Sequence, residues 1–227
     1  MTVGYHPDHK ILEKYATGDL GVGISLLVSA HLDHCEQCSR HVSQLTADAV
    51  NSFMEPVTDI SYNLDSELDQ LIGSIDTEVL NKSSVQREED GKVTFLDKTF
   101  TLPRSMAYLA SKELNWKEFG KNSRIAPVET TEEGNLYFIY LDKNEEVPQH
   151  GHEGIEYSYV AAGSYGSQSD IFNTGDFSSF DSQIIHTPKA LSDDGCLVIS
   201  WVEKRLNFFT GIFSPLNKIM WWYLHKA

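Results

Sequence analysis

The spacing of apolar residues predicts three helices within the first 53 residues. The segment HPDHKILEKYATG predicts a short helix, with Pro7 tolerated in its first turn and Gly18 as its stop. From Gly23 to about His34, and again from Cys38 to Phe53, apolar positions recur three and four residues apart. These two segments therefore predict a helical hairpin. Its apolar faces are formed by Ile24, Leu27, Val28 and His31 in the first helix and by Cys38, Val42, Leu45 and Ala49 in the second.

A fourth amphipathic helix is predicted in LDSELDQLIGSIDTEVL, residues 64–80. Its apolar stripe consists of Leu64, Leu68, Leu71, Ile72, Ile75 and Val79. The segment as a whole is strongly acidic, with five acidic residues. Such a helix either packs on the protein's own core or wraps around another protein.

The segment SSVQREEDGK, residues 83–92, is polar and predicts a linker. The pattern of residue types changes after it. The runs LYFIYLD, EYSYVAAG and GCLVISWVE are rich in β-branched and aromatic residues and are separated by turn residues. They predict an antiparallel barrel or sandwich. The predicted fold class is therefore α+β with two domains: an all-α helical bundle over 1–82, and an all-β domain over 93–227.

Charge and composition restrict the partners and the compartment. The net charge is -15, and residues 1–90 contain 16 acidic but only 5 basic side chains. This charge disfavours direct nucleic-acid binding and favours a basic partner, although an acidic surface by itself also serves solubility. No apolar run approaches the roughly 20 residues of a membrane span, the start MTVGYHPDHK lacks a secretory signal, and three cysteines cannot form a closed disulfide framework. We expect a cytoplasmic protein.

The segment SAHLDHCEQCSRH contains the first candidate metal site. His31 and Cys35 are four residues apart, and Cys38 follows three residues later, so all three lie on one side of a helix end. Two thiolates and two imidazoles suit a closed tetrahedral zinc site. We choose His6 as the fourth ligand, because it precedes the first helix and can lie across the hairpin. The competing candidates are His9, His34 and His41. The other interpretations are a redox dithiol, for which a βαβ context is missing, and cysteines without a common role.

A second candidate metal site lies in PQHGHEGIEYSYVAAG and GDFSSFDSQIIHTP. His150 and His152 alternate along a predicted strand, so both point to one face, and Glu156 lies on that face four residues later. His186 arrives from a later strand. Three imidazoles and a carboxylate form an open site for zinc, manganese or iron, and we predict zinc. A barrel of this kind without a bound metal is the alternative.

Both motifs resemble known families. His31-x3-Cys35-x2-Cys38 with an upstream histidine resembles the zinc-binding anti-sigma domain of bacterial inhibitors of extracytoplasmic-function sigma factors. The spacing His-x-His-x3-Glu-x6-Gly, followed by Gly175 and a histidine eleven residues later, resembles the two-part cupin motif. The departures from the cupin pattern affect turns rather than ligands: Asn144, Asp181 and Gln183 stand where glycine or proline is usual. In combination, the two halves resemble the ChrR family of anti-sigma factors.

The resemblance implies a function and its residues. A four-helix module would bind one sigma factor, and the 64–80 helix would contact that partner. The family's zinc ligands correspond to His6, His31, Cys35 and Cys38. A cupin barrel, a double-stranded β-helix, would act as the sensor that releases the sigma factor under photooxidative stress from singlet oxygen or organic hydroperoxides. The protein would not be an enzyme. The alternative is a cupin-type metal-dependent oxygenase or isomerase.

Two features lie in the C-terminal part of the sequence. Cys196, in GCLVISW, is either a small core residue or an oxidisable thiol beside the metal. The aromatic segment IMWWYLHKA is too short to span a membrane, so we expect it to pack against the barrel.

Overall fold

The computed structural model describes residues 3–53, 91–95, 98–111, 113–119 and 121–209. The predicted 64–80 helix, with its candidate partner-binding residues, lies outside these ranges, as do residues 83–90 of the predicted linker and the aromatic C-terminal segment. The domain boundaries at 82 and 93 therefore stay predictions. Within the described ranges, no helix is long and apolar enough to cross a membrane.

Three helices occupy residues 3–53, as predicted: α1 His9–Thr17, α2 Val22–His34 and α3 Glu36–Phe53. The Asp8 side chain caps α1 by accepting a hydrogen bond from the Ile11 backbone N–H at 2.8 Å. Gly18 ends α1 at a φ of 78°, a conformation that favours glycine. One detail of the prediction was wrong, because Pro7 precedes the Asp8 cap and is not part of the first helical turn. An N-cap residue has an extended backbone. Asp8 can adopt it directly after Pro7, because proline restricts the backbone of the residue before it and not that of the residue after it.

The remaining described chain is β-rich, with a 3₁₀ helix at Arg104–Ser111. Its strands are β1 Lys92–Phe95, β2 Lys98–Thr101, β3 Lys117–Phe119, β4 Ser123–Thr130, β5 Asn135–Leu141, β6 His150–His152, β7 Glu156–Ala162, β8 Ser164–Ser167, β9 Asp170–Asn173, β10 Phe177–Phe180, β11 Ile185–His186, β12 Lys189–Ala190, β13 Cys196–Val202 and β14 Leu206–Phe208.

All strand pairings among the described residues are antiparallel. The largest sheet has the order β10-β7-β13-β5-β4-β3, and smaller sheets have the orders β11-β6-β14 and β12-β8-β9, with β1-β2 as a separate hairpin. The central strand β13 pairs with both β5 and β7 and is buried at every position, which explains its continuous apolar sequence CLVISWV. This arrangement of N-terminal helices and a cupin-like barrel confirms the predicted fold class.

Helix α2 connects the helical region to the barrel. Leu27 and Val28 are fully buried, and they belong to a single apolar cluster that also contains barrel residues of β5, β7 and β13. Gly23 lies against the indole of Trp201 on β13 so closely that a Cβ atom there would clash with the ring. The same indole stacks on Tyr157 of β7, with ring centroids 5.9 Å apart. The helices therefore pack on the barrel through a shared core.

Candidate metal centres

The N-terminal cluster forms where α2 ends and α3 begins. His31 lies in the last turn of α2, Cys35 follows the helix in an extended conformation, and Cys38 lies in the first turn of α3. The amino end of a helix carries a partial positive charge, which favours a thiolate there. His6 reaches the same point from the extended segment before α1.

The four side chains are close enough to share one ion. His6 Nδ1 is 3.4 Å from His31 Nε2, 3.4 Å from Cys35 Sγ and 3.4 Å from Cys38 Sγ, and all four donor atoms lie within 4.8 Å of one another. Nitrogen and sulfur ligands at the corners of a zinc tetrahedron stand about 3.3 to 3.8 Å apart. The residues present therefore fit a zinc ion.

The competing histidines have other contacts. His9 Nδ1 is 3.0 Å from His41 Nε2, and His9 Nε2 is 3.2 Å from a Glu13 carboxylate oxygen. His34 is 3.0 Å from the Tyr159 hydroxyl on the barrel. The structure thus brings His6 into the cluster and leaves these three residues outside it. That zinc is the bound ion stays a prediction.

Burial keeps the cluster's groups in specific protonation states. The pKa of His31 is lowered to about 4, chiefly because burial disfavours the imidazolium. Its Nδ1–H donates to the Gly175 carbonyl of the barrel at 2.8 Å, so Nε2 presents its lone pair to the cluster. Burial raises the pKa of the Cys38 thiol to about 12. Because thiolates are the metal-binding form, a cation at this point is what would make deprotonation favourable.

The second cluster lies inside the barrel, where β6, β7 and β11 meet. His186 Nε2 is 3.0 Å from both His150 Nε2 and His152 Nε2. A Glu156 carboxylate oxygen is 3.1 Å from His152 Nε2 and 3.9 Å from His186 Nε2. Ligands about 2.1 Å from an ion and at right angles to each other stand about 3.0 Å apart. Most of these pairs thus match neighbouring corners of an octahedron, and the residues fit a metal with open positions.

Hydrogen bonds to the outer atoms orient these ligands. His150 Nδ1–H donates to the Pro148 carbonyl at 2.9 Å, and His186 Nδ1 is 2.9 Å from the Ser167 hydroxyl. The Ser158 hydroxyl donates to Glu156 Oε1 at 2.8 Å, which leaves Oε2 for the cluster. Such contacts fix the tautomer and the ring plane of a ligand before the metal binds.

The electrostatics of the barrel site suit a cation. Burial alone would raise the pKa of Glu156, but the surrounding imidazoles hold that pKa below its ordinary value. Burial lowers the pKa of His150, and it lowers the pKa of His186 to about 4. A carboxylate and neutral imidazoles are the forms that bind divalent metals.

An apolar cavity of about 80 Å³ adjoins the barrel cluster. His150, Glu156 and His186 form part of its wall, and the remainder is mostly apolar. The apolar lining residues include Ile139, Leu141, Val147, Phe180, Val198 and Phe208. Three of the four cluster residues therefore border a mostly apolar space.

The turn residues that depart from the cupin pattern keep compatible geometry. Asn144, at a position where glycine is usual, has a φ of 61°, in the left-handed region that asparagine tolerates better than most residues. At the second motif, the Gln183 backbone N–H donates to the Asp181 carboxylate at 2.9 Å, which forms a tight turn without proline or glycine.

Cys196 is fully buried at the start of β13, and burial raises its pKa well above the ordinary range. Cys196 is not among the described residues that line the cavity. Both observations favour a packing role, because buried thiols with raised pKa values are poor nucleophiles.

The sequence did not indicate the outer contacts of either cluster. The Gly175 carbonyl is a backbone atom, so no side-chain pattern can reveal that it holds His31. Ser158 lies two residues after Glu156 on β7, so the strand repeat of two could have marked it as facing the same side.

Comparisons with known proteins agree with this architecture. Residues 104–203 match the ChrR cupin-like domain family. The anti-sigma-E factor ChrR of Cereibacter sphaeroides is 26% identical over 215 residues, which cover 92% of this chain and 93% of that protein. The crystal structure of Rhodobacter sphaeroides SigE in complex with the anti-sigma ChrR superposes with a TM-score of 0.65 at 24% identity, covering 88% of this chain and 99% of that chain. These matches confirm the resemblance to ChrR that the motifs indicate.

Proposed function

We propose that this chain is an anti-sigma factor that binds and inhibits one extracytoplasmic-function sigma factor. The observation that carries the proposal is the similarity to the anti-sigma-E factor ChrR, which extends over 92% of this chain rather than over the barrel alone. The assignment is regulatory and not enzymatic. Sigma factors act with RNA polymerase, so the expected compartment is the cytoplasm.

Zinc is the expected ion of the N-terminal cluster, with His6, His31, Cys35 and Cys38 as its ligands. Four ligands from two helices and the preceding segment form a closed set with no position for substrate, which is typical of structural zinc. The role of the ion is to fix α2, α3 and the N-terminal segment relative to each other. The proposed 1–82 domain would bind sigma in this ordered form.

The acidic charge of the N-terminal region supports a basic partner. Residues 1–90 contain 16 acidic and 5 basic side chains, and sigma factors present basic surfaces to promoter DNA. The apolar stripe of the 64–80 segment is the candidate surface that binds the partner. Direct nucleic-acid binding by this chain is not expected.

The barrel is the candidate sensor, with His150, His152, Glu156 and His186 as metal ligands. The open positions and the adjoining cavity give a reactive oxygen species or a hydroperoxide a route to the ion. Damage there would loosen the helical region and release sigma. We predicted zinc for this site, with manganese or iron as alternatives. The right-angle spacing of the ligands suits an octahedral ion, so metal analysis of the purified chain is the deciding measurement.

A metal-dependent oxygenase or isomerase is the second candidate function. The observation that favours it is the same pairing of an open metal cluster and an apolar cavity, since enzymes of this kind bind substrate beside the ion. An activity that depends on Glu156 and persists without any sigma partner would support this alternative.

Affinity capture from the native cytoplasm, followed by mass spectrometry, tests the anti-sigma proposal. We expect a sigma factor in an equal amount with the wild-type chain, and its loss from a Cys35→Ser/Cys38→Ser variant. A Cys196→Ala variant is the matched control, because it removes a buried cysteine outside the cluster. A folded, zinc-loaded chain that recovers no sigma factor would contradict the proposal.

A further inference from the structure

The turn before β10 contacts the N-terminal cluster at both of its histidines. As noted, the Gly175 carbonyl accepts the Nδ1–H of His31. The Asp176 carboxylate, which is 1% exposed, accepts the backbone N–H groups of Gly4 at 2.7 Å and Tyr5 at 3.1 Å. These two residues immediately precede His6. A single barrel turn therefore sets the position of one histidine ligand directly and of the other through the backbone.

Strand β10 continues this contact along the N-terminal segment. The Phe177 N–H donates to the Tyr5 carbonyl at 3.1 Å, and the Tyr5 hydroxyl donates to Asp170 on β9 at 2.9 Å. The Phe177 ring also meets the His31 ring edge-on, with centroids 6.3 Å apart. The N-terminal segment thus lies against the open edge of β10, the last strand of its sheet.

The other end of the same short strand contacts the barrel cluster. The Phe180 ring lies 4.3 Å from the His186 ring, centroid to centroid, and Phe180 is the backbone partner of Glu156 in the β10–β7 ladder. Residues three apart on a strand point to opposite faces and are separated by about 10 Å. Phe177 accordingly packs in the cluster shared with the helices, whereas Phe180 packs inside the barrel.

We propose that β10 and its preceding turn couple the two metal sites, so that a metal ion in the barrel strengthens metal binding by the N-terminal cluster. An ion between Glu156 and His186 would fix the strand end that contacts both. The fixed strand would in turn hold Asp176 and the Gly175 carbonyl where they align His6 and His31. The proposal rests on metal binding at both clusters, as proposed above, and does not require a sigma factor.

Coupling between sites is reciprocal, so each ion must strengthen the binding of the other by the same factor. Cobalt is a suitable probe, because a thiolate-to-cobalt absorption band reports the cysteine cluster alone, while elemental analysis reports total bound metal. The full-length chain is titrated with buffered Co²⁺. The single-site references are Cys35→Ser/Cys38→Ser and His150→Ala/His152→Ala.

We expect the site that fills second in the wild-type chain to bind Co²⁺ at least about fivefold more tightly than it does when the other site is removed. Asp176→Ala should lower this coupling factor, because the segment before His6 loses its side-chain anchor while the Gly175 contact with His31 remains. The matched control is Asp181→Ala, which removes a carboxylate at the opposite end of β10; among the described residues, that carboxylate accepts the Gln183 N–H of its own turn. Its coupling factor should equal that of the wild type.

The outcomes separate this proposal from the one above. Two occupied sites with a coupling factor near one in the wild-type chain would overturn the coupling and leave both metal sites in place. Absence of the thiolate band would overturn metal binding at the cysteine cluster, and the coupling with it. Should Asp176→Ala not fold, Asp176→Asn, which keeps one acceptor oxygen, is expected to lower the factor partially.

Discussion

The packing of Gly23 against Trp201 makes the contact between helix and barrel testable by one substitution. In Gly23→Ala, the added methyl group would clash with Trp201 Cδ1 and would stand only 3.0 Å from Nε1. The indole is closely packed elsewhere too, because it stacks on Tyr157 and because a Cβ atom at Gly134 would lie 2.5 Å from its Cζ2.

The expected cost follows from overpacking. Forcing an extra methyl group into a filled core typically costs about 1 to 3 kcal/mol. Replacing glycine by alanine in a helix returns up to about 1 kcal/mol, and less near a helix start such as this one. We therefore expect Gly23→Ala to lower the free energy of unfolding by about 1 to 2 kcal/mol.

Urea denaturation, followed by circular dichroism and tryptophan fluorescence, measures this change. Val22→Ala is the control, since Val22 is the preceding residue of the same helix and is 62% exposed. In a Trp201→Ala background the clash is gone, so adding Gly23→Ala should cost nothing there. A Gly23→Ala chain as stable as the wild type would refute the packing of α2 on β13 described above.

Three further predictions concern the metal sites and one ion pair. Ser167→Ala should weaken metal binding in the barrel by about tenfold, measured by chelator competition, because the histidine it contacts loses its orienting partner; unchanged affinity would contradict that role. Cys35→Ser/Cys38→Ser, made in a His150→Ala/His152→Ala background that lacks the barrel site, should lower the melting temperature and abolish the protective effect of added zinc, measured by calorimetry; a chain of that background still stabilised by zinc would place the ion elsewhere. Asp142 accepts a hydrogen bond from Lys98 at 2.8 Å, which holds the pKa of that carboxyl far below its ordinary value. Asp142→Asn should therefore be less stable than the wild type by a constant amount above about pH 5, and the difference should shrink as the pH falls below about 3.9, where the unfolded carboxylate is protonated; a difference that grows on acidification would contradict this.

The parts of the fold that were predictable depend on short spacings. The helix hairpin follows from apolar residues three and four apart, because the helical repeat places such residues on one face. The same spacing predicted that His31, Cys35 and Cys38 lie together, although the structure joins them at the turn between α2 and α3, where Cys35 is extended. Likewise, His150 and His152 share a face because a strand has a repeat of two. The choice of His6 as the fourth ligand needed a further argument from its place before α1, since four histidines were candidates for that position.

The unpredicted parts depend on long-range packing. The position of α2 on the barrel follows from the fit between Gly23 and Trp201, 178 residues apart in the chain, and no local pattern encodes that fit. Asp176 looks like an ordinary turn residue in sequence, yet its carboxylate is buried and holds the N-terminal segment. Such polar anchors are recognisable only when the elements that they join are known.

The chemistry of the two clusters differs in a way that suits a sensor joined to a switch. Two thiolates and two imidazoles in a tetrahedron leave no open position, so an ion held by the N-terminal cluster would have no site for a reactant. The barrel cluster has a carboxylate, right-angle spacing and an apolar cavity beside it, so it is the one that can meet a small molecule. A chemical change at the barrel ion can reach the helices only through the protein. Strand β10, with Phe180 at one cluster and Phe177 at the other, is a direct structural route between them.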